Sequence, residues 1–249
     1  LANSDQTLVN QFFKSLGGYD MIIHLDAGHG GKDSGAVGNG LKEKDITLSL
    51  AKQIRNILEN DYSNIVVNMT RTTDTFVALS KRADLANKEN ADYFFSIHVN
   101  AGGGMGYEDY IYDQLSIGSI TDNARANLHN AVLPVLKKYN LVDRGKKKAN
   151  YAVLRETKMR AVLAETLFID TLADANHLKN PTFLNDIAHA YAKGLASIVG
   201  ATRKNETSEE INRTTTYSVQ IGAFKDRKNA DLLVKKAENA GFKPFIKIN

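Results

Sequence analysis

Three side chains in this 249-residue sequence have the donor types of a metal centre that splits amides: His29, Glu43 and His98. His29 lies in Asp-Ala-Gly-His-Gly-Gly, directly after the aliphatic run that opens at Ile22, where glycines leave the backbone room to bend and the imidazole uncovered. His98 closes a second aliphatic and aromatic run, DYFFSIH, with a triple glycine soon after, and Glu43 stands at the start of a helical pattern. Two imidazoles and one carboxylate form a catalytic Zn²⁺ set with a position left for water, whereas Mg²⁺ or Ca²⁺ would call for a carboxylate-rich site. Zinc in such a site acidifies water and polarises a carbonyl, so one Zn²⁺ ion is the expected cofactor. Glu165, at the end of the run AVLAE, is placed to take the water proton and return it to a leaving amine. Taken singly, Glu43 also reads as an acid favoured by a helix dipole, and Glu165 as a rim carboxylate paired with Arg71 or Arg82.

Other chemistries lack support. There is no cysteine, which removes thiol nucleophiles, disulfides and thiolate ligands. Neither an H-E-x-x-H helix nor a G-x-S-x-G elbow occurs. His24 lies inside the first strand, and His129, His177 and His189 fall on or near helices without acidic or histidine neighbours at ligand spacing, so they read as core or surface residues.

The elements that must position these groups follow from periodicity. After the first strand and its loop, Ile46, Leu50, Ile54, Ile57 and Leu58 are spaced as one face of a helix. A β-branched strand over Ile65 to Arg71 follows, then a helix LSKRADLANKEN with Ser80 as its N-cap, then the strand ending at His98. GYEDYIYD reads as a further strand, ARANLHNAVLPVLKKY as a helix that Pro134 should kink, and NYAVL and AVLAE as two short strands. A last helix starts after Asn180 with Pro181 in its first turn and stops at Gly200. Alternating strands and helices predict an α/β fold: a mostly parallel twisted sheet flanked by helices, with functional loops beyond the carboxyl ends of the strands and a small C-terminal β-α-β unit.

Charge and composition divide the chain. From Ala201 onward there are ten basic and six acidic residues, while the 22 basic and 22 acidic residues before it cancel. A basic tail suits a polyanion, either nucleic acid or an anionic cell wall. Residues 1–20 are expected to be a loosely attached or added extension in which TLVNQFFKSLGG forms a short helix, 21–200 the catalytic domain, 201–216 a polar linker and 217–249 the β-α-β unit. No apolar run is long enough to span a membrane and no signal-peptide pattern is visible.

The pieces LDAGHGGKDSGAVGNGLKEKD, TRTTD, LSKRADLAN, DYFFSIHVNA and NYAVLRETKMRAVLAETLFID resemble, in order and spacing, the zinc-dependent N-acetylmuramoyl-L-alanine amidases of autolysins, sporulation wall hydrolases and phage endolysins. The resemblance implies cleavage of the amide between the lactyl group of N-acetylmuramic acid and the L-alanine of the stem peptide. It implies His29, Glu43 and His98 as zinc ligands, Glu165 as the catalytic glutamate, and Asp26, Arg71 and Asn100 as residues that hold ligands or loops. YSVQIGAFKDRKNADLLVKKAENAGFKPFIKIN resembles one repeat of the SPOR module, which binds peptidoglycan. Peptidoglycan is therefore the expected partner, with no nucleic acid and no membrane span, and the expected place of action is the bacterial cell wall, reached by secretion or by lysis. Three positions depart from the family's pattern: Ala27 and Arg160 where proline is common, and Leu167 where glycine is usual. Leu167 restricts the backbone and adds bulk beside Glu165, which with Arg160 leaves open a wall-binding or regulatory protein with a blocked groove; the metal set leaves open a zinc peptidase of the stem peptide, whose chemistry is the same.

Overall fold

The computed structural model describes residues 20–204, 226–239 and 246, in a larger unit, Tyr19–Asn205, and a smaller one that contains the helix at 227–239. The expected helix in TLVNQFFKSLGG and the two strands of the C-terminal β-α-β unit lie outside the described residues.

In the larger unit six strands form one sheet: β1 (Met21–Ala27), β4 (Ile65–Met69), β5 (Tyr93–Asn100), β6 (Tyr107–Tyr112), β7 (Asp143–Ala149) and β8 (Arg160–Phe168), in the order β4-β1-β5-β8-β6-β7. Only the β6–β8 pairing is antiparallel, so the mostly parallel sheet flanked by helices is as expected. Ile23, Leu25, Phe95, Ile97, Val162 and Ala164 face one side and are fully buried. Against them pack α1 (Glu43–Asp61) through Ile46, Leu50, Ile54 and Leu58, α3 (Ile120–Lys138) through Leu128, Val132 and Leu136, and, after the short α5 (Leu172–Leu178), α6 (Pro181–Val199) through Phe183, Ile187, Tyr191 and Leu195. Each set repeats every four residues, along the stripe that an amphipathic helix buries. The opposite face carries a smaller cluster in which Ala86 of α2 (Leu79–Lys88) and Val153 and Leu154 of α4 (Ala152–Arg155) cover Phe94, Ala161 and Leu163. Near the carboxyl ends of the strands this second face is polar, with Asp26, Ser96, His98 and Glu165.

Several local expectations are corrected. NYAVL forms the single helical turn α4 and not a strand, because four apolar residues between turns fit either period. The residue preceding α2 is Ala78, without a side-chain cap, and Ser80 lies inside the helix. The strand at 65 ends at Met69, two residues short of Arg71, and β8 continues past Glu165 to Phe168. Strand β7, DRGKKKA, was not expected: as the sheet's edge it keeps charged residues in solvent and has no apolar alternation. Pro134 lies within α3, which continues to Lys138. At α6 the cap and stop are as expected, with the Asn180 side chain accepting from Thr182 N and Gly200 left-handed at φ 71°. His129 does have acidic partners: its Nδ1 lies 2.6 Å from Asp109 Oδ2 and its Nε2 3.2 Å from Asp143 Oδ1, inside the core. His24 is likewise buried, between Glu89 and Thr70.

Leu167 adopts φ 66°, where a side chain costs roughly 1–2 kcal/mol and glycine costs little. The reason is a bulge. His98 pairs with Glu165 and Asn100 with Phe168, so Val99 on β5 faces two residues, Thr166 and Leu167, on β8. The leucine side chain is fully buried in the main core, so its bulk is absorbed inside the domain and does not enter a groove beside Glu165. Burial and strain oppose each other here, which gives an unusual order of stabilities. Leu167→Ala loses the buried side chain and keeps the strained φ, whereas Leu167→Gly loses the side chain but relieves the strain. Denaturant unfolding should place the glycine variant below the parent yet about 1 kcal/mol above the alanine variant.

In the smaller unit α7 (Arg227–Asn239) is capped by Asp226, whose Oδ1 accepts from Lys228 N, and it buries Leu233 and Ala237 while Arg227 pairs with Asp231 one turn on.

Candidate metal centre

His29, Glu43 and His98 are brought together at the carboxyl edge of β1 and β5. One ligand atom from each lies within 4.8 Å of the others, and among the described residues this is the group that could hold a metal ion. Glu43 is placed by a two-residue hairpin that sequence reading missed: β2 (Val37–Gly38) pairs with β3 (Leu41–Lys42) around Asn39-Gly40, both with positive φ, as a primed turn demands. Glu43 is therefore the first residue of α1, and its carboxylate is held by backbone: Val99 N donates to Oε1 at 3.0 Å and Ala36 N to Oε2 at 2.9 Å. Oε1 also meets His98 Nδ1 at 2.9 Å and Oε2 meets His29 Nε2 at 3.1 Å.

His29 itself sits at φ 61°, a strained conformation for a residue with a side chain, and its Nδ1 lies 2.9 Å from Asp33 Oδ2, which fixes the ring with Nε2 toward Glu43. Glycines of this loop make room for the ligands. A Cβ on Gly28 would come within 2.6 Å of His98 Cε1, and one on Gly35 within 2.5 Å of Glu43 Oε2 and 2.6 Å of His29 Cδ2. Gly28→Ala should therefore displace the His98 ring and lower metal occupancy, measurable by metal analysis after dialysis, while β1 and the fold persist.

The loop is clamped from beneath by two buried arginines. Arg71 donates to the carbonyls of Ala27, Gly28, Thr73 and Lys44, and Arg82 donates to the carbonyls of Ala27 and His29 and to Asp26 Oδ1 at 2.8 Å. Asp26 accepts from Ser96 at its other oxygen. Burial would push the Asp26 carboxyl up, but the charges of Arg82 and His98 with these hydrogen bonds hold it below its ordinary value. Sequence reading placed Arg71 and Asp26 near the site and did not give Arg82 this part; an arginine on the alanine-lined face of a helix was the available signal. Asn100 contacts neither imidazole. It donates to Glu108 Oε1 at 2.7 Å, on the neighbouring strand β6.

The electrostatics follow from burial and pairing. Burial alone would lower both imidazoles, yet the hydrogen bonds and charge of Glu43 raise His29 and, with Glu165 and Asp26 adding to the field, push His98 up to about 9. The Glu43 carboxyl would rise on burial but is held well below the usual carboxylate range by the two imidazoles. Glu165 behaves in the opposite way. Lying on β8, it is the register partner of His98 on β5 and of Glu108 on β6, so all three side chains lie on one face of the sheet. Neither Arg71 nor Arg82 pairs with it, and its Oε2 is buried without a hydrogen-bond partner among the described residues. Burial, reinforced by Glu43 and Glu108 and opposed by the imidazoles, pushes its carboxyl up to about 7. A carboxyl with an uncommitted oxygen and such a pKa is suited to proton transfer near neutrality.

Nitrogen and oxygen donors in a group of three, with a buried proton-transfer carboxyl beside them, fit a tetrahedral ion with an open position and not an all-oxygen octahedral one. Leu167 and Arg160 do not join the site. Leu167 is in the core, and Arg160 begins β8 at the sheet's other end, its guanidinium 5.8 Å from the Tyr93 ring centre.

Comparison with known proteins gives a consistent set of relatives. The family model for N-acetylmuramoyl-L-alanine amidase matches residues 23–197, and that for the SPOR domain matches residues 190–249, beginning inside α6. The sporulation-specific N-acetylmuramoyl-L-alanine amidase of Bacillus subtilis is 43% identical over 227 residues, spanning 90% of this chain and 83% of its own. The endolysin of Bacillus phage SPP1 is also 43% identical over 227 residues, spanning 89% and 83%. Among solved structures, the catalytic domain of the N-acetylmuramoyl-L-alanine amidase CwlV from Bacillus (Paenibacillus) polymyxa superposes with a TM-score of 0.65 at 33% identity, covering 71% of this chain and 97% of that one.

Proposed function

The chain belongs to the N-acetylmuramoyl-L-alanine amidase family, and from that premise we propose that it cuts the lactyl–L-alanine amide of peptidoglycan with a single zinc ion held by His29, Glu43 and His98 and with Glu165 as the proton-transfer group. The observation that carries the reading is the pairing of a three-donor centre with the unpartnered, elevated Glu165 one strand away. Zinc bound there would supply Lewis acidity toward the scissile carbonyl and acidify the attacking water. Glu165 in its ionised form accepts that water's proton at its free oxygen and returns it to the departing alanine nitrogen. Asp33 keeps the His29 ring oriented, and Arg71 and Arg82 hold the loop beneath it by its carbonyls. The C-terminal SPOR match supports retention on the insoluble wall, which raises the local concentration of scissile bonds. No described helix is long and apolar enough to cross a membrane.

Burial of Leu167 in the main core and the place of Arg160 at the start of β8 speak against the blocked-groove alternative. The direct test is digestion of purified cell walls by the zinc-loaded protein with mass analysis of the fragments. Free muramic lactyl ends with new L-alanine amino groups are expected; cuts within the peptide would reassign the enzyme as a stem peptidase, and no cuts would overturn the reading.

Metal binding should depend on pH in a direction set by the imidazoles. Both are raised, so protons compete with the ion for His29 and His98. Apparent zinc affinity should fall as pH drops below about 9, by about tenfold per pH unit for each proton displaced. Calorimetric titrations at pH 6 and pH 8 in buffers of different ionisation enthalpy read both the affinity and the proton count.

A further inference from the structure

Next to Glu165, on the side away from the metal ligands, a buried carboxylate is surrounded by more positive charge than it needs. Glu108 of β6 is 2% exposed and accepts four hydrogen bonds: Asn100 Nδ2 and the Tyr110 hydroxyl at Oε1, and Arg144 Nε and Lys147 Nζ at Oε2. Arg144 and Lys147 both come from edge strand β7. The ladder shifts register between Tyr107 and Asp109, so that the two cations reach the same face and the same oxygen despite their odd spacing. Each is pinned by an aromatic ring: the Arg144 guanidinium lies 4.9 Å from the centre of Phe168, and the Lys147 ammonium 6.0 Å from that of Tyr110.

Two cations against one carboxylate leave a surplus of one positive charge, and donors remain uncommitted. Arg144 spends only its Nε on Glu108; among the described residues its two terminal nitrogens have no partner, and a third of its side chain, like that of Lys147, is exposed. A guanidinium held by its inner edge with its outer fork in solvent matches a carboxylate in two parallel hydrogen bonds. Glu108 is the register neighbour of Glu165, and successive strands are about 4.8 Å apart, so the cation heads lie about 5–10 Å from the proton-transfer group. An extended peptide advances about 3.4 Å per residue. That distance covers the second and third residues beyond the scissile nitrogen. An N-acetylated glycan is uncharged once its lactyl carboxyl is in amide linkage, whereas the peptide carries free carboxylates, so charge alone assigns the β6–β7 side to the peptide.

We infer that Arg144 and Lys147, held by Glu108, form a specificity subsite for a free carboxylate on the second or third residue of the peptide released by cleavage. This rests on the amidase reading. It makes the enzyme sensitive to whether that carboxyl is free or amidated.

The test uses two synthetic N-acetylmuramoyl tripeptides that differ only in a carboxylate or carboxamide at one of these residues, prepared for each residue in turn. With the zinc-loaded full chain at low salt, the carboxylate form of one pair should be favoured about tenfold in kcat/KM, mainly through KM, and the preference should shrink with added salt. Arg144→Gln together with Lys147→Gln should bring the ratio near one. Glu108→Gln, whose single amide oxygen can still accept from Asn100 and Tyr110 while its amide nitrogen offers the cations no acceptor, should raise it, and circular dichroism and zinc content check that each variant is folded. Cleavage of both members of both pairs at equal rates by the parent protein would overturn the subsite and leave the amidase reading standing. A preference that survives the double substitution would also overturn it. If neither member of any pair is cut, the amidase reading fails and the subsite falls with it.

Discussion

Replacing Glu165 by glutamine should lower kcat about 10²–10⁴-fold, the range for removing a general acid–base group, while the bound zinc remains. The substitution is nearly isosteric, and Glu165 Oε2 has no hydrogen bond to lose in the free protein. Parallel wall-digestion rates and metal analysis of the same preparation separate the two effects; loss of zinc would show that Glu165 is a ligand. Stability should move the other way. A carboxyl raised to about 7 in the folded state contributes stability that is present below its unfolded pKa and is lost as pH rises through 7. The glutamine variant carries no such charge, so above pH 7 it should unfold at higher denaturant than the parent. Activity of the parent should likewise climb on an acid limb at or below pH 7, because the base must be ionised and a neighbouring cation lowers its pKa further.

Glu43→Gln should be more damaging, abolishing turnover by emptying the site. Changing even an outer partner of a ligand typically costs 10–100-fold in affinity, and here a charged ligand is lost, so zinc affinity should fall by more than about 100-fold. The two imidazoles would also lose the carboxylate that raises them. His98 should titrate well below its value of about 9, which proton NMR of the imidazoles reads directly, and wall digestion should cease. Retained zinc and activity would mean that Glu43 serves the fold alone.

The three residues of the candidate metal centre were legible in the sequence because each interrupts a strong pattern. His29 sits in a glycine turn directly after an apolar strand, His98 lies near the end of another with a run of glycines soon after, and Glu43 opens a helix with regular apolar spacing. Asymmetric positions were harder. Val-Gly-Asn-Gly-Leu-Lys is too short for periodicity to show, although Asn-Gly is a hairpin signal, and NYAVL is too short to tell a helical turn from a strand. The edge strand β7 was missed because solvent, and not a core, sets its composition. Arg82 and Glu108 escaped for a shared reason: they are charged residues whose burial is compensated by partners 36 or more positions away in the chain, Arg82 by Asp26 and Ala27, and Glu108 by Arg144 and Lys147. No local pattern marks such a residue. Leu167 was noticed as an exception to the family pattern, but which way its side chain turns depends on the bulge.

The two backbone N–H groups that hold Glu43 have a consequence for how the enzyme can be stored and switched. Val99 N and Ala36 N satisfy the carboxylate with no ion present, and Glu43 closes its own contacts to both imidazoles. Chelation should therefore silence the protein without melting it, in contrast to small domains that need their metal to fold. A cell could carry such a hydrolase in a latent, correctly shaped form, and resupply of the ion would restore lytic power at once, with no refolding step between the dormant and the destructive state.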